Sequence, residues 1–295
     1  MKNKTFIGVD IGGTKICIGK VRDGKIENEV SLATPSTESA ENVLRDIVFG
    51  IQQMMDNEVE GIGIGVPGLV DEENGIVYGV QNIPSWDKVH LRKHIEDQFN
   101  RKVFITNDAN CFAIGEKIYG KGRNFENFVG LTIGTGLGSG IIINGGLYSG
   151  SLSSAGEFGG IPYLQYDFEH YCSSKFFKHF FNLEGHEVYE MAIEGSRQAI
   201  SIFEQFAKHI SSVIQVILYA LGPEAIILGG SVSKSFSFIQ ESLWIDLQKF
   251  PHKKIIEQLT IEVSETEKVA VLGAAALFQV KNTKQPKKAG SLEFH

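Results

Sequence analysis

The chain has 295 residues, 42% of them apolar and 21% charged, with a formal charge of −7. That length suits two domains of ordinary size with ample buried core, and the mix is that of a soluble globular protein. The acidic balance, with a pI near 5.7, argues against a broad basic surface for nucleic acid or anionic membrane.

In chain order, residues 5–11, 15–21 and 25–32 read as three short strands with a turn at Asp23-Gly24, an antiparallel meander. A first strand at about Thr5 leaves no room for a signal peptide. Pro35 and Ser36 precede a helix through about Met55, whose Val43, Leu44, Ile47, Val48 and Ile51 follow helical spacing. Gly61–Val66 reads as a buried strand broken by Pro67-Gly68. A helix is expected over 88–99, a strand over Val103–Thr106 and a helix over Ala109–Tyr119. Two apolar runs around Gly134–Gly138 form a second hairpin, followed by a polar, glycine-bearing loop through Gly160. Short helices at Phe176–Phe181 and Val188–Glu194 lead to a long one from about Ser196 to Leu221, stopped by Gly222-Pro223. Ala225–Leu228 is a strand, followed by Gly229-Gly230-Ser231, and Val269–Val280 is an alanine-rich helix. The polar tail 281–295 is expected to be disordered or partly vector-derived.

The two hairpins are copies. At a constant offset Phe6 falls on Phe128, Gly8 on Gly130, Asp10 on Thr132, Ile11 on Ile133 and Gly12 on Gly134. Each turn is nearly bare of side chains, so its backbone N–H groups can approach an anion closely. Two such turns would grip a polyphosphate from both sides of a cleft. Neither is a GxxxxGK phosphate loop, and each glycine cluster runs into a strand rather than a helix, unlike a dinucleotide fingerprint. Plain turns are the simpler reading of either copy alone. No apolar stretch reaches the ~18–20 residues of a membrane span. Cys17, Cys111 and Cys172 are scattered and odd in number, as for reduced cytoplasmic thiols.

Several residues are candidates for chemistry. Asn107-Asp108-Ala-Asn110 follows a strand; Asp108 can take a proton from a hydroxyl, though Asp and Asn there are common helix caps and the residues alone favour that reading. Asp10, beside the first turn, can hold Mg²⁺ bridging to phosphates, or is an ordinary turn residue. Glu157 and Glu169 can clamp vicinal sugar hydroxyls, or are solvated loop charges. His170 and Cys172 lack the further ligands of a structural zinc site.

These motifs, in this order over roughly residues 5–280, resemble those of ROK-family sugar kinases (repressor, open reading frame, kinase), a branch of the actin-like ATPase superfamily. Asp10-Ile-Gly-Gly-Thr-Lys15 is similar to the family's first phosphate motif and Gly134-Thr-Gly-Leu-Gly138 to its second. Gly65-Val-Pro-Gly68 with Asp71 and Gly75, and Asn82-Ile-Pro-Ser-Trp86, resemble its sugar-side segments. Asn107–Asn110 matches the catalytic motif, Ala155–Gly159 the start of its Glu-x-Gly-His motif, and Leu228-Gly-Gly230 its adenosine-side motif.

The resemblance implies an α/β fold of two duplicated actin-like ATPase (ribonuclease H-like) domains with an interdomain cleft. Residues 1–110, joined by helix 269–280, would carry the sugar side and first phosphate loop; 111–268 would carry the second loop and nucleoside site. It implies ATP-dependent phosphorylation of a glucose-like hexose at its 6-hydroxyl, with Asp108 as general base. Gly68, Asn82, Asn107, Glu157 and Glu169 would contact the sugar. Gly12, Gly13, Thr14, Lys15, Thr132, Gly134, Thr135, Gly136, Gly229 and Gly230 would hold ATP, and Asp10 would support Mg²⁺ through water. A cytoplasmic homodimer acting on small molecules, not nucleic acid or membrane, is implied. Two departures stand out: the family's His falls on Gly160, and its cysteine-rich zinc motif is absent, so no zinc site is expected. They leave open a weakly catalytic sugar-sensing regulator, or a kinase for an N-acetylhexosamine, mannose or fructose. A non-sugar ATPase of the same superfamily is a further alternative.

Overall fold

The computed structural model describes residues 4–281. Its first half runs β1 (Thr5–Ile11), β2 (Lys15–Arg22), β3 (Lys25–Ala33), α1 (Ala40–Met54), β4 (Val59–Val66), β5 (Leu69–Asp71), β6 (Ile76–Tyr78), β7 (Lys88–Val89), α2 (Leu91–Phe99), β8 (Lys102–Asn107) and α3 (Asp108–Tyr119). The second half runs β9 (Phe128–Ile133), β10 (Leu137–Ile143), β11 (Gly146–Tyr148), β12 (Pro162–Tyr163), β13 (Tyr166–Asp167), α4 (Phe168–Cys172), α5 (Ser174–Phe181), α6 (Gly185–Ile193), α7 (Arg197–Leu221), β14 (Ala225–Gly229), α8 (Phe236–Leu247), α9 (Lys253–Gln258), β15 (Thr260–Val263) and α10 (Val269–Val280).

Two five-stranded sheets have the same plan, β3-β2-β1-β4-β8 and β11-β10-β9-β14-β15. In each, an antiparallel meander is extended by two parallel strands. The duplicated α/β architecture expected from the paired hairpins is therefore present. The copies differ at the turn: Ile11 pairs with Ile16, enclosing residues 12–15, whereas Ile133 pairs with Leu137, enclosing only 134–136.

The helices that follow the two sheets are exchanged. α3 leaves the first sheet and lies on β9 and β10; α10 leaves the second and lies on β1 and β4. Glycines make these approaches possible. A Cβ on Gly8 would lie 2.0 Å from the Val271 carbonyl oxygen, and one on Gly63 1.8 Å from that of Ala274. Where α3 and α10 cross, a Cβ on Gly273 would lie 1.8 Å from the Cys111 carbonyl oxygen. Side chains at these positions would force whole elements apart.

Each sheet has its own core. α1 and α2 cover the first, with Ile47, Ile51, Ile95 and the wholly buried Trp86. The second core surrounds α7, whose buried face includes Phe203, Phe206, Ile210, Ile214 and Ile217. Ser196 caps α7 by accepting from the Ala199 N–H, and left-handed Gly222 ends it.

The sequence expectations need three corrections. The helix expected over 88–99 starts at Leu91, because Lys88–Val89 pairs with β6. The sheet β5-β6-β7, built from strands of two or three residues, was too short to show a period. α8, α9 and β15 occupy a stretch left without elements. Of the tail expected over 281–295, only Lys281 is described; the rest lies outside the described residues.

Candidate active site

The first turn of α3 is the meeting point. Asp10, Gly65 and Thr106 are register neighbours across β1, β4 and β8, with Asn107 and Asp108 next in the chain. Gly65 leaves the room: a Cβ there would lie 3.2 Å from the Asp108 Cα. From the other side, a Cβ on Gly138 would lie 3.2 Å from the Ala109 Cβ and 2.8 Å from the Thr132 Oγ1. Asp10, one residue before the end of the first hairpin's leading strand, and Thr132, its counterpart in the second, thus flank the same helix end.

The helix-cap reading of Asn107-Asp108 is realised. Asn107 caps α3, its Oδ1 accepting from the Ala109 N–H at 2.9 Å, while its Nδ2 donates to the Gly68 carbonyl at 3.3 Å. Asp108 Oδ1 also accepts from the Ala109 N–H at 2.9 Å. Burial among protein atoms pushes the Asp108 carboxyl up to about 6; hydrogen bonding to the backbone of Ala109 opposes this and the Glu157 charge adds to it. Asp10 is pushed further, to about 7, by burial and then by the Asp108 charge. Among the described residues, no positive charge offsets the rise of either carboxyl. Glu157, on the loop leading from β11, is raised by desolvation and then by Glu169.

The hairpin turns are held from outside. In the first, the Gly12 N–H donates to the Lys15 carbonyl at 2.9 Å, and Thr34 Oγ1 donates to the Gly12 carbonyl at 2.7 Å. Thr14 and Lys15 are exposed. Asn82 lies over this turn, its Nδ2 2.7 Å from where a Gly13 Cβ would sit. A groove of about 440 Å³ opens beside it, between residues 36–38 and 81–85. In the second turn the Gly134 N–H donates to the Gly136 carbonyl at 3.0 Å. Glu169 lies over this one: Oε2 accepts from the Leu137 N–H at 3.1 Å, and Oε1 pairs with Lys175 Nζ at 2.5 Å. Thr135 is exposed, and a Cβ on Gly134 would meet nothing closer than Ser231 Oγ at 4.0 Å. That is open space of the kind a close-approaching ligand requires.

The structure thus brings Asp10, Asn107, Asp108, Thr132 and Glu157 to one corner, with Gly68 bonded to it. Asn82 and Glu169 sit over the glycine turns. Gly229 is the register partner of Thr132, but its missing side chain is explained by packing, since a Cβ would lie 2.3 Å from the Phe112 ring. Gly230, at φ +85°, turns the chain out of β14. Sequence reasoning passed over Thr34, Ser231 and Lys175. Ser231 alone had a local signal, as the polar residue directly after Gly229-Gly230.

Behind Glu157, Gly160 faces open space. The segment that follows is a hairpin of β12 and β13 braced by rings. Tyr163 stacks on Phe168 at 4.3 Å between centroids, and its hydroxyl meets His209 Nδ1 at 3.2 Å and Ser212 Oγ at 3.1 Å. Among the described residues, no three His, Cys, Asp or Glu side chains gather to hold a metal ion.

Many known proteins are similar to this chain in sequence or in fold. The glucokinase of Thermotoga maritima is 29% identical over 95% of this chain and 98% of its own. The N-acetyl-D-glucosamine kinase of Haemophilus influenzae is also 29% identical, over 94% of this chain and all of its own. A crystal structure of a ROK family glucokinase from Streptomyces griseus, in complex with glucose and AMPPNP, superposes with a TM-score of 0.79 at 30% identity, covering 92% of this chain and 98% of that one. The ROK family model itself matches residues 6–281, from the first strand of one sheet through the helix returned from the other, and the chain belongs to the ROK family.

Proposed function

We propose that this protein is an ATP-dependent sugar kinase that passes the γ-phosphoryl group to a hexose hydroxyl, with Asp108 as general base. One observation carries the reading: two glycine hairpins on separate sheets flank the helix end that presents Asp108. Phosphoryl transfer needs positioning and charge stabilisation more than covalent help from the protein. Residues 12–15 and 134–136 offer backbone N–H groups to the phosphates, while Gly229 and Gly230 border the nucleoside. Gly68, Asn82, Asn107, Glu157 and Glu169 hold the sugar. A carboxyl near 6 suits a base working at neutral pH. Asp108 Oδ1 rests on the Ala109 amide, so Oδ2 is assigned to the acceptor hydroxyl.

The electron-rich Asp10–Asp108 corner fits Mg²⁺ held by Asp10 through water. Such an ion offsets the charge on the phosphates. The two halves, 1–110 with 269–280 and 111–268, close around the sugar and keep out water, which would otherwise compete as acceptor.

Glucose, phosphorylated on its 6-hydroxyl, is our first acceptor. An N-acetylhexosamine is also supported, because the glucokinase and N-acetylglucosamine kinase relatives are each 29% identical to this chain. A cytoplasmic homodimer is the setting carried over from the family, and the three cysteines are free thiols. The test is ADP release across glucose, N-acetylglucosamine, N-acetylmannosamine, mannose and fructose, with and without added zinc. Steady release with one sugar is expected. Release without sugar would mean an ATPase, and sugar binding without release would mean a regulator.

A further inference from the structure

We infer that Glu72 is a positioning residue that pins the Glu157 loop against the Asn107–Asp108 corner. Glu72 follows β5, and its carboxylate joins segments far apart in the chain. Oε1 accepts from Thr106 Oγ1 at 2.5 Å and from Ser153 Oγ at 2.9 Å; Oε2 pairs with Lys281 Nζ at 2.5 Å. The two hydroxyl oxygens are themselves 3.4 Å apart. Thr106 immediately precedes Asn107 and is wholly buried; Ser153 lies just upstream of Glu157 and is 3% exposed. Thr106 gives its one proton to Glu72, so its oxygen can accept from Asn110 Nδ2 at 3.2 Å. The network therefore reaches into the first turn of α3.

A separate observation shows that the loop needs an outside hold. Leu152 and Ser153 have φ of +52° and +55°, a left-handed pair that side-chain-bearing residues disfavour. Leu152 is exposed, so its burial does not offset the strain. The bond from buried Ser153 to a carboxylate does, since bonds to charged groups are the strong ones. Without Glu72 the turn at 152–153 loses its outside hold, and the Ser139 bond to the Gly156 carbonyl remains to keep Glu157 near Asp108.

This inference rests on the sugar-kinase reading for its kinetic test and is independent of it for its exchange test. In Glu72→Ala the sugar KM should rise about tenfold while the ATP KM stays within about twofold, as expected for one lost charge-assisted bond on the sugar side. Glu72→Gln keeps an oxygen for the two hydroxyls but turns an amide toward Lys281, so it should fall between. Without any substrate, amide hydrogen exchange over 150–157 should quicken in Glu72→Ala and stay unchanged over 128–143. Equal rises in both KM values with faster exchange throughout would mean a general structural role and overturn the inference. So would a variant with wild-type exchange over 150–157. If the wild type phosphorylates no sugar, the functional reading fails and the exchange result alone decides on Glu72.

Discussion

The two hairpins share strand order, pairing and a glycine turn, yet they deliver different chemistry to α3. β1 carries Asp10 one residue before its end, with its carboxyl pushed to about 7 beside Asp108. β9 carries Thr132 at the matching position, its hydroxyl donating to its own hairpin at the Gly138 carbonyl, 3.2 Å away. The residues lying over the turns differ too: the neutral amide of Asn82 on Gly13, and the Lys175-paired carboxylate of Glu169 on Gly136. Duplication supplied two glycine hairpins on the same strand plan. Side-chain divergence then set a buried carboxyl beside one of them and a hydroxyl beside the other.

The largest effect should come from the group between the hairpins. Asp108→Asn is expected to lower kcat by ~10²–10⁴-fold with the sugar KM held. Turnover close to wild type would remove Asp108 from the chemistry. The asymmetry itself is tested by a pair. Asp10→Asn should cost ~10–100-fold in kcat, the usual effect of a group acting on a metal through water. Thr132→Val loses one neutral hydrogen bond and should cost only ~0.5–1.5 kcal/mol of stability. Equal kinetic losses would erase the distinction between the hairpins.

Glycines that face ligand and glycines that face protein should also separate. Gly134→Ala enters open space, so Tm should hold while the ATP KM rises about tenfold, the equivalent of one lost phosphate contact. Gly229→Ala runs into Phe112 and should lower stability by ~1–3 kcal/mol. If both variants lost only Tm, the second turn would be a plain turn.

The smallest effects are in pH. Asp108 must be ionised to accept a proton, so kcat/KM should fall below about pH 6. Asp10 is raised from 3.8 to about 7, so between these values the folded state binds the extra proton and stability declines as pH rises. Asp10→Asn removes that decline. Its Tm should exceed wild type at pH 8 by a few degrees and match it near pH 4.

Much of this was legible in the chain. Both hairpins, α1, α7 and α10 announced themselves through period, caps and terminal glycines, and the Asn107–Asp108 motif marked the corner. β5, β6 and β7 were not legible, because two or three residues cannot display an alternation. The packing of Gly229 was not legible either, because the Phe112 ring that a Cβ there would meet comes from another element. Glu72 had no local signature at all, since Thr106, Ser153 and Lys281 are its neighbours only once the chain is folded.

By itself the sequence determined what depends on residues close together: strand and turn identity, helix ends, and the repetition of one hairpin in a second half. Tertiary structure alone decided the exchange of α3 and α10 between the sheets, the meeting of Asp10 with Asp108, and the strength with which each holds its proton. The reason is physical. Backbone preference acts over a few residues, whereas desolvation and Coulomb interaction depend on distances through space, and those exist only after the two sheets have closed on their crossing helices.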